Sequence, residues 1–101
     1  MEAALKAIAA PHRRTILRLV SDSELSAGEI AEHFELTRPA VSQHLRVLKD
    51  AGLVAERRNG TRRIYRLDPD GLGELRDYFD DFWSEALAAF KALAEDERRT
   101  G

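Results

Sequence analysis

Apolar positions recur at helical spacing over most of the chain, and the period changes once, just after Gly52. Residues 2–10 (EAALKAIAA) put Leu5 and Ile8 on one face of a short helix, too short to stand alone in water and so expected to dock on something larger. Pro11 suits the first position of a second helix to about Val20, where its missing N–H costs nothing. Ile16, Leu17, Leu19 and Val20 form its apolar side, and His12, Arg13, Arg14 and Arg18 its polar side. Residues 21–25 read as a loop. Ser26, with Glu29 three positions on, forms a capping box. It opens a third helix to about Phe34, with Ile30, Ala31 and Phe34 inward.

Glu35 and Leu36 lead into the next helix, from Thr37 to about Asp50, within the stretch TRPAVSQHLRVLKDAGLV. Thr37 is a suitable N-cap, and Gly52 supplies the left-handed residue that ends it. At about 100° per residue, Ala40, Val41, His44, Leu45, Val47, Leu48 and Ala51 fall on one arc. Arg38, Pro39, Ser42, Gln43, Arg46, Lys49 and Asp50 fall on the other. Two helices joined by a short turn, the second with a basic outer face, make the helix-turn-helix pattern. Arginine pairs bidentately with guanine, and glutamine with adenine, in a major groove wide enough for a helix.

Beyond Gly52 the chain alternates like a sheet. Val54 to Arg58 and Arg62 to Leu67 read as strands, with Asn59-Gly60 as a type I′ turn between them. The tip of this two-stranded ribbon carries Arg57, Arg58, Arg62 and Arg63, four charges of one sign, and reads as a wing placed on phosphate or in a minor groove.

Asp68-Pro69 can cap and start a last helix, although Gly71 and Gly73 weaken its first turn. Leu72, Leu75, Phe79, Phe82, Ala86, Ala89 and Leu93 follow at spacings of 3, 4, 3, 4, 3 and 4. Tyr78, Trp83, Leu87 and Phe90 widen that stripe. A helix of about 25 residues with so broad an apolar face exceeds what this chain can cover by itself. The expected answer is packing on the first helix and on the same helix of a second chain. The interface residues expected are Leu5, Ile8, Leu72, Leu75, Phe79, Phe82, Trp83, Ala86 and Phe90. Residues 96–101 are expected to fray, leaving one domain over residues 1–95.

Composition narrows the chemistry. The 101 residues contain no cysteine, which removes disulfides, thiolate metal sites and cysteine nucleophiles. No apolar run approaches the roughly 18 residues of a membrane span, no secretion leader is evident, and a cytoplasmic location is expected. The net charge of −2 hides a strong asymmetry: residues 1–36 carry −2, residues 37–67 carry +6 and residues 68–101 carry −6. The centre of the chain is the expected contact with double-stranded DNA. His12, His33 and His44 show no metal-ligand spacing, the serines lie in no nucleophile motif, and no glycine-rich loop can cradle a nucleotide. No enzyme activity, cofactor or membrane partner is expected.

The wording of residues 3–93, above all RPAVSQHLRVLKDAGLV and the wing ending in IYRL, resembles the ArsR/SmtB family of winged-helix bacterial repressors. The resemblance implies a mainly α fold with a small β-hairpin, dimeric through its first and last helices. It also implies binding to an inverted-repeat operator, released by an effector. It maps Thr37, Arg38, Pro39, Ser42, Gln43 and His44 to the recognition helix, and Arg62 and Arg63 to the wing. Metal-sensing members place a cysteine pair in the third helix, where residues 24–30 read ELSAGEI. Others use Asp and His on paired last helices, and this one has Asp77, Asp80, Asp81 and Glu85 but no histidine. Carboxylates alone suit hard divalent cations rather than zinc, and here they read as a solvated face. The alternatives to a DNA-binding regulator are a winged-helix protein-interaction module and a carboxylate-site metal-responsive repressor.

Overall fold

In the computed structural model, which describes residues 1–100 and side chains through residue 98, the helical periods converge on one core. Its largest fully buried members are Ile16, Ile30, Val41, Leu45, Leu48, Leu53 and Val54. The elements are α1 (Glu2–Ala9), α2 (Pro11–Asp22), β1 (Leu25–Ser26), α3 (Ala27–Ala31) and α4 (Arg38–Asp50), then β2 (Val54–Asn59), β3 (Arg62–Leu67) and α5 (Pro69–Thr100). This is a winged helix-turn-helix.

The short α1 is held at both levels of packing. Ala4 and Ala7, rather than the larger Leu5 and Ile8, are the buried residues; small side chains let the helix lie close to the core and leave Leu5 and Ile8 half-covered. Its last carbonyls accept hydrogen bonds from α2: Arg13 Nε donates to Ala7 O at 2.6 Å and Arg14 Nη1 to Ile8 O at 2.8 Å. Carbonyls that a helix end leaves unpaired are thereby satisfied.

α3 begins as expected, with Glu29 N donating to Ser26 Oγ at 3.1 Å and Ser26 N donating to Glu29 Oε1 at 3.0 Å. It stops at Ala31, short of Phe34, because the chain tightens into His33 N→Ile30 O and Phe34 N→Ala31 O bonds. Residues 21–25, expected as a loop, include the last two residues of α2, Ser21 and Asp22, and one residue of a strand. Leu25 pairs with Tyr65 and Ser26 with Ile64, so the expected two-stranded ribbon is a three-stranded antiparallel sheet of order β1-β3-β2. Two residues are too few to show a period of two, which is why pattern reading missed β1.

The wing turn also differs. Asn59 pairs with Arg62, so the central turn residues are Gly60 and Thr61, not Asn59 and Gly60. Of these two, Gly60 alone has positive φ, at 66°. That is the pattern of a type II′ turn, which takes glycine first and an ordinary residue second. The displacement sets Glu56 opposite Tyr65 and Arg58 opposite Arg63.

Gly52 closes α4 at φ 77°. The first turn of α5 lies against it: a Cβ on Gly71 would fall 1.7 Å from Gly52 O. Asp68 caps α5 through Oδ1, which accepts from Asp70 N at 3.1 Å. α5 then runs unbroken for 32 residues, longer than the expected length and through positions 96–100, which were expected to fray; Gly101 lies outside the described residues. Its first turns pack on α1 and bury Leu75. The rest projects from the body and stretches the protein to 67 × 27 × 23 Å. Among the described residues, no helix is long and apolar enough to cross a membrane.

Candidate nucleic-acid interface

Val41, Leu45 and Leu48 fix α4 in the core, and that anchoring decides which residues face out. Arg38, Pro39, Ser42, Gln43, Arg46, Lys49 and Asp50 are all exposed, the complete outer arc expected from the sequence. Thr37 caps the helix, its Oγ1 accepting from Ala40 N at 3.2 Å. The wing rises beside this face, and the two enclose an open cleft of about 1080 Å³. Arg38, Ser42, Gln43, Arg46 and Lys49 line one wall and Arg62 and Arg63 the other, and Ser26, Glu29 and Glu56 line it too.

Carboxylates organise the wing cations. Glu56 Oε2 accepts from Tyr65 Oη at 3.0 Å, while Lys49 Nζ lies 3.7 Å and Arg63 Nη1 3.9 Å from its two oxygens. A single carboxylate thus ties the last turn of α4 to both strands of the wing. Burial, followed by the bond to Glu56, pushes the Tyr65 hydroxyl above its ordinary pKa. Arg57 donates from Nη2 and Nε to Glu24 Oε2 at 2.7 and 3.3 Å, outside the lining of the cleft. Its hydrogen bond holds the Glu24 carboxyl below the usual range. Arg62 Nη2 donates to Ser26 Oγ and to Glu29 Oε1, both at 3.0 Å. Hydrogen bonds from Ser26, then the charge of Arg62, lower the Glu29 pKa. Glu24, Glu56 and Tyr65 went unnoticed in the sequence. The turn displacement hid the Glu56–Tyr65 pairing, and no local pattern links Glu24 to a residue 33 positions away.

His44 lies at the edge of the buried arc, behind the cleft. Arg13 Nη1 is 3.4 Å from its Nδ1, and its ring is 5.7 Å from that of His12, which in turn stacks edge-on against Phe34 at 5.5 Å. A guanidinium can only donate, so this contact favours the neutral tautomer with Nδ1 as acceptor. Burial, then Arg13 and His12, lower its pKa. Among the described residues, no group of three or more His, Cys, Asp or Glu comes together to hold a metal.

Of the expected interface residues, Leu75 is buried within its own protomer and Leu5, Ile8 and Leu72 are half-covered by the core. Ala86 is half-buried. Phe79, Phe82, Trp83 and Phe90 remain 43, 55, 62 and 71% exposed, beside Tyr78, Leu87 and Leu93. Contiguous exposed aromatics of this kind mark an interaction surface.

Known proteins share this architecture. Residues 10–56 match the family described as bacterial regulatory protein, arsR family. The chain is 47% identical over 94 residues to the HTH-type transcriptional regulator Rv2034 of Mycobacterium tuberculosis, covering 93% of this chain and 88% of that one. It is 41% identical over 68 residues to the transcriptional repressor SdpR of Bacillus subtilis, covering 67% and 76%. The solution structure of a homodimeric winged helix-turn-helix DNA-binding domain from Mycobacterium bovis superposes with a TM-score of 0.67 at 31% identity, covering 83% of this chain and 78% of that one. The chain belongs to the arsR family of bacterial regulatory proteins and is a winged helix-turn-helix transcriptional regulator, not an enzyme.

Proposed function

We propose that the protein is a homodimeric repressor that binds an inverted-repeat operator in the bacterial cytoplasm. The observation that carries this reading is the cleft. The whole polar arc of α4 and the wing cations Arg62 and Arg63 face one open space, with the acidic α5 elsewhere. Arg38, Ser42, Gln43 and Arg46 have the chemistry and exposure to read base edges. Thr37, Lys49, Arg58, Arg62 and Arg63 suit phosphate contacts, which position the helix without carrying sequence information. Pro39 starts the helix, and His44 sets its seat on α2. Arg57, held by Glu24 away from the cleft, acts on phosphate only if that bond opens.

The exposed aromatic stripe of α5, a helix whose first turns pack on α1, supports pairing with a second copy, as does the homodimeric state of the M. bovis domain. Repression follows the relation to SdpR. Two-fold pairing then requires half-sites about one helical turn apart, near 10 bp or a multiple. Selection of bound sequences from random duplexes tests this, with a palindrome of that spacing as the expected product. Selection with Gln43→Ala is expected to relax one position in each half-site, at about 1–3 kcal/mol. A selected pool without symmetry would overturn the inverted-repeat reading.

A further inference from the structure

Glu29 occupies an unusual position for a helix cap. It lines the same cleft as the cationic face of α4, and its Oε1 accepts two bonds at once, from Ser26 N and from Arg62 Nη2, each at 3.0 Å. The two bonds differ in permanence. The one from Ser26 belongs to the backbone of the cap, and it fixes the carboxylate to the start of α3. The one from Arg62 joins two side chains that are 46 and 58% exposed, and exposed ion pairs are weak and easily exchanged. A phosphate offers a guanidinium two oxygens in a planar fork, whereas here Nη2 alone spans Ser26 Oγ and Glu29 Oε1. Phosphate is therefore the better partner for Arg62. When Arg62 turns toward it, the bond from Ser26 N still ties Glu29 to the start of α3. Its carboxyl, like any exposed glutamate, is ionised at neutral pH, and the hydrogen bonds from Ser26 lower its pKa further. A second guanidinium borders the same spot, with Arg38 Nη1 only 3.3 Å from where a Cβ on Gly28 would stand.

We propose, resting on the DNA-binding reading above, that Glu29 is a positioning residue that acts as a brake on Arg62. Without DNA it parks the wing guanidinium on the body of the helix-turn-helix. With DNA bound it remains as a fixed negative charge beside the phosphate that Arg62 contacts. Because phosphate contacts are blind to sequence, the brake lowers affinity for all DNA alike, and so limits the time the protein occupies non-operator sites.

The variant that isolates this role is Glu29→Gln. Glutamine at the same position still completes a capping box, so the helix start survives and only the charge is lost. The probe is a random-sequence duplex, titrated by mobility shift over a series of salt concentrations, with thermal melts alongside. The brake predicts that Glu29→Gln binds about fivefold more tightly at low salt, the effect of one unit charge about 4 Å from another in water. It also predicts a plot of log affinity against log salt steeper by up to about 0.9. Asp81→Asn, which removes an equal charge from α5, is expected to change neither. Unchanged or weaker binding by folded Glu29→Gln overturns the brake, since Arg62 would then stay on Glu29 in the complex or need it for docking. Should Glu29→Gln not fold, the arginines decide. The brake predicts that Arg62→Ala loses less affinity than Arg58→Ala, because part of the Arg62–phosphate contact is offset by the broken Glu29 pair; an equal or larger loss overturns it. Absence of binding by the wild type even at low salt would overturn the DNA-binding reading itself and the brake with it.

Discussion

Arg58 and Arg63 are direct cross-strand partners, two like charges facing each other one step from the turn of the wing. Such pairs destabilise a hairpin by an amount on the order of 0.2–1 kcal/mol. Arg63 leans toward Glu56 at 3.9 Å, and among the described residues Arg58 has no ion pair, which suits it to the phosphate contact proposed above. Arg58→Ala should weaken binding to every DNA sequence and flatten the log–log salt dependence by about 0.9. It should also leave the free protein as stable or slightly more so. Mobility shifts at several salt concentrations check the first effect and thermal melts the second.

The two glycines at the start of α5 should respond in opposite ways. A Cβ on Gly71 would overlap Gly52 O, whereas one on Gly73 meets nothing within 4 Å. Gly73→Ala is expected to stabilise the fold by about 0.8–1 kcal/mol, the helix preference of alanine over glycine. Gly71→Ala must push α5 off α4 and is expected to destabilise by at least about 1–3 kcal/mol, as overpacking does. Chemical denaturation of the two variants tests the contrast.

Acid should loosen the seat of the recognition helix. His44 accepts from Arg13 and titrates below the ordinary histidine value of 6.5, so the unfolded chain takes up this proton more readily than the folded one. The contribution of His44 to stability is therefore complete above about pH 6.5 and declines as pH falls below it. Melting temperatures from pH 8 to pH 5 should fall less steeply in His44→Gln than in the wild type.

Trp83 and Phe90 are 62 and 71% exposed in the protomer, and dimerisation through α5 should cover them. Sedimentation is expected to give about twice the protomer mass of 11.4 kDa, with Trp83 emission shifting as the protein is diluted. Phe90→Asp should yield a folded monomer, because that side chain lies outside the core of its own protomer. A wild-type protein that sediments as a monomer at micromolar concentration would contradict the two-fold arrangement.

The helices were legible in the sequence because their signals are local. Three-and-four spacing set the inner arc of α4, Thr37 and Gly52 marked its ends, and Ser26 with Glu29 marked the start of α3. β1 was not legible, since two residues carry no period and their pairing with Tyr65 and Ile64 is set by tertiary contact. The Asn59-Gly60 dipeptide pointed to a hairpin at the right place, but glycine alone took positive φ and moved the turn by one residue. The cations of the interface were evident from composition. Their restraint by Glu24, Glu29 and Glu56 was not, because each carboxylate is brought to its arginine by the fold rather than by spacing.

The central claim is that α4 and the wing form one DNA-binding surface, and the most direct test is a salt titration of wild-type binding to double-stranded DNA. Engagement of the cations around the cleft predicts tight binding at low salt and a steep linear loss of log affinity with log salt, by about 0.9 for each phosphate neutralised. No binding at low salt, or binding indifferent to salt, would contradict it.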